Sequence, residues 1–191
     1  IDHCNTHSSF KDKVYMSNLC QEITLPTTPL DHIDDTKGEI ALCILSAINL
    51  GLIRDKDELE GLCDLSVRAL DEIIDYQEYP IEAARISAES RRSLGIGYIG
   101  LAHFLAKNHV KYDDKEALTL VDEITEAFQY YLLKASNNLA VEKGKCEYFE
   151  MTKYSDGILP IDTYKKDLDK IVKRKLSYDW KQLRKDIQEH G

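Results

Sequence analysis

The stretch GEIALCILSAINLGL, residues 38–52, decides the fold class. It is apolar almost throughout, with Ile40, Leu42, Ile44, Ile48 and Leu50 on one parity and the smaller Ala41, Cys43 and Ala47 on the other. A strand covered on both faces has this composition, because neither side needs to meet water; a buried helix can share it. A second run, Ser93-Leu94-Gly95-Ile96-Gly97-Tyr98-Ile99-Gly100, reads as a glycine-bearing strand.

The segments around these runs carry the helical period. Asp55-Lys56-Asp57-Glu58 has the form of a capping box, followed by Leu59, Leu62, Val67, Leu70, Ile73 and Ile74 at helical spacing to about Tyr76. Further helices are expected within Pro80–Arg91, over Leu101–Lys107, from Asp114 to about Lys143 with Gly144 as the stop, over Pro160–Lys173 and over Tyr178–His190. Residues 1–13 are polar and turn-rich, and an extended run from Val14 to Leu25 is closed by Pro26 and Pro29. Strand and helix alternate without internal repeats, which places the chain in the α/β class.

Bulk properties remove several functions. The chain of 191 residues is 43% hydrophobic and carries a formal charge of −9, so it can bury a core and presents no broad cationic surface for nucleic acid or an anionic membrane. Its one compact basic run is Lys173-Arg174-Lys175. No apolar stretch approaches the roughly 20 residues of a membrane span, and no signal peptide is evident, so a cytoplasmic setting is expected. Five cysteines at wide spacing, without C-x-x-C, read as free thiols rather than a disulfide scaffold or zinc ribbon. His3, Cys4 and His7 lack a second ligand pair and read as a polar loop, so no metal site is expected. Both ends, Ile1 and Gly191, read as cut from a longer chain.

Two motifs bear on chemistry. Gly95-Ile96-Gly97-Tyr98-Ile99-Gly100 matches G-x-G-x-x-G, but the acidic residue required about twenty residues on would fall inside the long helix. Close packing of a strand is the expected role of these glycines. In Ser17-Asn18-Leu19-Cys20-Gln21-Glu22-Ile23, an extended backbone would place Asn18, Cys20 and Glu22 on one face at about 6.5–7 Å spacing, which could hold a small polar ligand. An ordinary strand with a packed cysteine has the same pattern.

Five blocks in order, Asp2-His3-Cys4-Asn5-Thr6-His7, Ser17-Asn18-Leu19-Cys20 with Glu22, Gly38-Glu39-Ile40-Ala41-Leu42-Cys43, Arg91-Arg92-Ser93-Leu94-Gly95-Ile96-Gly97, and Ile158 to Asp167 (ILPIDTYKKD), together resemble the large, catalytic subunit of class I ribonucleotide reductase. The bacterial and bacteriophage type that acts on diphosphates is the nearest form. The resemblance implies an internal part of a ten-stranded α/β barrel: a finger loop at about 14–25, a barrel strand at about 38–50, and helices with a further strand over 55–190.

It also implies roles for residues. Cys20 matches the cysteine that becomes a thiyl radical and removes the 3′ hydrogen, Glu22 the carboxylate that takes the 3′-hydroxyl proton, and Asn18 the amide that positions the substrate hydroxyls. Ser17, Leu19 and Gln21 would complete the substrate-binding segment. Cys43 matches one member of a redox-active pair whose partner is not in this chain, and Cys63 and Cys146 read as structural. Tyr130-Tyr131, on the long helix, reads as packing rather than as the family's radical relay.

The resemblance extends to partners. It implies a ribonucleoside diphosphate substrate, the rest of the large subunit and its homodimer, and a metal-containing small subunit that supplies the radical. A dithiol reductant such as thioredoxin or glutaredoxin and nucleotide effectors such as ATP act through regions not present here. The signature beginning at Trp180, with Leu183 and Gly191 in register, is interrupted at Gly191, so the isolated chain is expected to reduce no nucleotide and its partial barrel to expose strand edges. A class II, adenosylcobalamin-dependent reductase and a non-catalytic helical interaction domain are the competing readings.

Overall fold

The computed structural model describes residues 9–21, 23–170 and 175–191. Its two strands, β1 (Ile44–Asn49) and β2 (Leu94–Ile99), pair in parallel with Ile44 beside Leu94 and Asn49 beside Ile99. Parallel pairing requires a crossover. Here it is made by α1 (Lys56–Tyr76) and α2 (Glu82–Arg91). After β2 come α3 (Leu101–Lys107), the long α4 (Lys115–Lys143) and α5 (Trp180–His190), with short 3-10 turns at Phe149–Met151, Pro160–Asp162 and Lys166–Lys170.

Local chemistry fixes the helix ends. The Asp55 carboxylate accepts from Glu58 N at 2.8 Å, while the Glu58 carboxylate accepts from Arg54 N at 2.7 Å, so the reciprocal bond falls one residue before the cap. Gly144 ends α4, donating to Ala140 O at 2.8 Å. Arg92, which follows α2, is left-handed at φ 46°, a conformation that costs a residue with a side chain about 1–2 kcal/mol. Ion pairs to Asp71 at 2.6 Å and Asp75 at 2.8 Å offset that cost and pin the α2–β2 junction to α1.

Helices cover one face of the strand pair. Ile48, Ile96 and Tyr98 pack with Leu59 and Cys63 of α1 and Ile124, Ala127, Phe128 and Tyr131 of α4. A second cluster, Phe149, Leu159, Trp180, Leu183 and Ile187, seats α5. There the buried Glu126 carboxylate accepts from Trp180 Nε1 and Ser177 N, both at 2.9 Å. Tyr130 stacks on Tyr178 with ring centroids 4.6 Å apart, and Tyr178 donates to the Tyr131 hydroxyl at 3.3 Å. The tyrosine pair is thus packing, as expected.

Three expectations change. The first strand spans 44–49 rather than 38–50, because Glu39 is drawn into an antiparallel bridge with Thr28. It is also covered on one face only: Leu45 is 59% exposed where Ile48 is 6% exposed. In place of one helix over 160–173 there are two 3-10 turns, with residues 171–173 outside the described residues. Asp162 holds the first turn by accepting from Leu159 N at 2.8 Å, and Arg184 of α5 pairs with the same carboxylate at 2.6 Å, which ties the segment to α5.

Leu59 is fully buried at the meeting of α1 with the sheet, whereas Leu65 on the same helix is 62% exposed. Leu59→Ala is expected to lower stability by about 2–5 kcal/mol and Leu65→Ala by under about 0.5 kcal/mol, read from chemical denaturation.

Candidate functional site

The segment between Phe10 and Glu39 forms a loop held at its base and open at its tip. Val14 and Pro26 are buried at either end of residues 14–25, while Tyr15, Met16 and Leu19 are exposed. At the tip the chain turns: Gln21 N donates to Asn18 O at 3.2 Å, Gln21 is left-handed at φ 63°, and Ile23 N donates to Asn18 Oδ1 at 3.0 Å. Asn suits this role because its side-chain oxygen can close a turn on the following backbone.

The extended face expected for Asn18, Cys20 and Glu22 is therefore not what forms. The Asn18 carbonyl oxygens point into the turn, Leu19 and Cys20 occupy the turn itself, and Cys20 is exposed. Glu22 lies outside the described residues, as do His3, Cys4 and His7.

The loop's base is gripped by Arg91, at the C-terminal end of α2. Its guanidinium makes a two-pronged pair with Glu39, at 2.6 and 2.9 Å, and a third bond to Asp12 at 3.0 Å. It also lies 4.8 Å from the Phe10 ring centroid and 5.0 Å from that of Tyr148. Arg91 and Glu39 are both buried. Burial opposes the charge on Arg91, but the bonds from Glu39 and Asp12 outweigh it, and the pKa is raised on balance. Asp12 precedes the loop and Glu39 follows it, so one cation ties both of its ends. Thr28 and Glu39 add a pair of backbone bonds at 3.1 and 3.0 Å.

An open cleft of about 1400 Å³ runs beside this loop. Ser17, Gln21 and Ile23 border it from the loop, Leu45 and Gly95 from the strands, and Cys43 from the residue before β1. Asn18, Leu19 and Cys20 do not border it. Cys43 is half-buried immediately before β1, with Sγ 3.7 Å from Ile44 O, and burial pushes its thiol up. Beside it, the buried Ser93 hydroxyl has no hydrogen-bond partner among the described residues.

The other thiols are of a different kind. Cys63 is wholly buried, and burial, with a smaller contribution from Glu60, pushes its pKa up to about 12. Burial also raises that of Cys146. Both fit the structural role expected. Among the described residues no cluster of His, Cys, Asp or Glu could hold a metal ion, and no helix is long and apolar enough to cross a membrane.

The expected substrate segment and Cys43 do meet at one cleft through Ser17 and Gln21, but Arg91, Asp12 and Glu39 had no assigned role. An acid beside an apolar run and an arginine closing a helix rich in small residues were the signals that could have exposed Glu39 and Arg91. Asp12 offered none. The glycine motif is no nucleotide loop, since β2 continues through Gly95 and Gly97 instead of ending at the first glycine. Close packing holds at Gly95 and Gly100, whose Cβ would strike Leu45 and Asn49 respectively, but not at Gly97, which faces open space.

Parallel strands with helices on one face, and a cysteine-bearing loop beside a cleft with a second cysteine, define an α/β unit with an unclosed sheet, consistent with part of a barrel. Residues 1–191 match the family described as "Ribonucleotide reductase, barrel domain", and the chain belongs to that family. It is similar to the ribonucleoside-diphosphate reductase subunit alpha of Haemophilus influenzae, 61% identical over 100% of this chain and 26% of the relative. The ribonucleoside-diphosphate reductase 1 subunit alpha of Escherichia coli is 57% identical over the same shares, and subunit alpha of enterobacteria phage T4 is 42% identical over 100% of this chain and 25% of its own length. The chain thus spans about a quarter of the length of these relatives.

Arg91→Ala would leave Glu39 buried without its cation, and is expected to cost about 3–5 kcal/mol in chemical denaturation. Replacing both partners, Arg91→Met with Glu39→Met, should cost much less. A thiol-alkylating reagent at pH 8, followed by peptide mass analysis, is expected to modify the exposed Cys20 readily and Cys63 only once the chain unfolds.

Proposed function

We propose that this chain is a central segment of the catalytic barrel of a class I ribonucleotide reductase large subunit, which converts ribonucleoside diphosphates to their 2′-deoxy forms. The observation that carries this reading is that the loop bearing Cys20 is fixed by a buried ionic clamp and borders one cleft with Cys43. Relatives named as alpha subunits of ribonucleoside-diphosphate reductase support the class I form over the adenosylcobalamin-dependent one, because that name speaks of an enzyme built from more than one kind of subunit.

In this scheme Cys20, as a thiyl radical, takes the hydrogen from C3′ of the substrate. Glu22 accepts the 3′-hydroxyl proton, which requires it to lie within hydrogen-bond reach of that oxygen. Asn18 Oδ1 accepts from Ile23 N, which orients the amide, and its NH2 group can donate to the substrate hydroxyls. Ser17, Leu19 and Gln21 shape the same edge.

The 2′-hydroxyl departs as water. Cys43 and a second thiol, from a strand of the large subunit outside this chain, give up two hydrogens and close to a disulfide. A hydrogen returns to C3′ from Cys20, and the balance is one substrate and two thiols to one deoxynucleotide, one water and one disulfide.

Such chemistry needs the radical sulfur shielded from water. Cys20 is exposed in this segment, so the shield must come from the rest of a ten-stranded barrel. The radical is supplied by a metal-containing small subunit, and a dithiol protein such as thioredoxin or glutaredoxin resets the disulfide. The complete subunit would work as a homodimer in the cytoplasm, with its nucleotide effectors on regions outside this chain.

The test is a complete class I large subunit carrying these 191 residues in place of its own, assayed for diphosphate reduction with its small subunit and a dithiol. Turnover is expected, with Cys20→Ser and Cys43→Ser each abolishing it and Glu22→Gln lowering it by about 10²-fold or more. Activity that survives Cys20→Ser would overturn the reading. The 191-residue chain alone should give none.

A further inference from the structure

Glycine inside a strand weakens it, by roughly 0.5–1 kcal/mol relative to alanine, and is retained where the backbone needs an unusual conformation or something approaches closely. β2 contains two, Gly95 and Gly97. Neither has a positive φ, so backbone conformation explains neither. Their surroundings differ. A Cβ on Gly97 would meet nothing within 4 Å, but one on Gly95 would stand 3.0 Å from Cys43 Sγ and 2.5 Å from Leu45 Cδ2.

The register explains the encounter. Gly95 is the partner of Leu45, and Ile44 N donates to Ser93 O at 3.3 Å, so the residue before β1 lies next to the residue before β2. Leu94, Ile96 and Tyr98 pack against the helices, leaving Gly95 for the opposite side, which it shares with Leu45; Gly95, Leu45 and Cys43 all border the cleft. A Gly95 side chain would overlap the Leu45 methyl and crowd the Cys43 sulfur.

We propose that Gly95 is a positioning residue for Cys43: the missing side chain creates the slot that sets where the redox sulfur sits in the cleft. This rests on the redox role given to Cys43 above. The two groups that a Cβ would crowd are the ends of side chains, while the backbone oxygen of Ile44, 3.8 Å away, stays at ordinary contact. Alanine at 95 should therefore leave the sheet intact and push the sulfur and the leucine aside, separating chemistry from folding.

The experiment uses the complete large subunit carrying this segment, with its small subunit and a dithiol, and compares Gly95→Ala, Gly97→Ala, Cys43→Ser and the double variant Gly95→Ala with Leu45→Ala. Gly95→Ala is expected to lower kcat at least tenfold while KM for the diphosphate stays within about twofold and the melting temperature within a few degrees. Gly97→Ala, with open space at its Cβ, should match the wild type. Relieving Leu45 in the double variant should restore any lost stability but not kcat, because the sulfur is still displaced.

Wild-type kcat in folded Gly95→Ala, with Cys43→Ser inactive, would overturn this inference and leave the redox reading standing. An active Cys43→Ser would instead remove that reading. Recovery of kcat in the double variant would move the effect to Leu45 and away from the sulfur, and would also overturn the inference.

Discussion

The loop that carries Cys20 has few means of holding a shape. Its tip is exposed, its tightest turn is closed by the carbonyl oxygens of one asparagine, and its two ends lie far apart in sequence at Asp12 and Glu39. The guanidinium of Arg91 brings those ends together. A buried two-pronged pair with Glu39 desolvates both charges, which is tolerable only when hydrogen bonds are nearly complete, and the third bond to Asp12 together with the Phe10 and Tyr148 rings supplies that completeness. Arg92, next in sequence, points the other way and fastens the same junction to α1 through Asp71 and Asp75. Two adjacent arginines thus join the loop to the crossover helices that support the strands.

The sheet adds the second constraint. Its helix-facing side is a continuous apolar core, while the opposite side presents Leu45 and Ile99 at more than half exposure. Apolar residues on an uncovered strand face are those a closed barrel would enclose, and Leu45 borders the cleft together with Cys43. A family of barrel domains accounts for an unclosed pair of parallel strands better than a self-sufficient two-stranded unit, which would be marginal in water.

Much of this arrangement was legible in the residues. α1 ends where its period predicts, at Tyr76, and α4 stops at Gly144, because capping and amphipathic spacing are local signals. Apolar composition overextends the first strand, because it does not report that Glu39 is claimed by Thr28 and Arg91, contacts set by tertiary structure. The same blindness affected residues 160–170, where the Asp162–Arg184 pair acts across the chain, and the Cys20 segment, where alternation suggested an extended face while Asn18 instead closes a turn. Of the site, resemblance singles out Cys43 and the loop as expectations; Glu39 and Arg91 stand in the same blocks, but nothing local marks them as a clamp with Asp12, because the three lie tens of positions apart.

Amide hydrogen exchange compared between the wild type and Arg91→Ala measures the dependence of the loop on this clamp most directly. With Arg91 in place, the amides of Ile23 and Thr28, which donate to Asn18 Oδ1 and Glu39 O, are predicted to be protected. In the variant they should exchange at least tenfold faster, while amides in the middle of α4 keep their protection. Unchanged protection at Ile23 and Thr28 in folded Arg91→Ala would show that the loop holds its shape without the cation, and would contradict the claim that Arg91 sets the site.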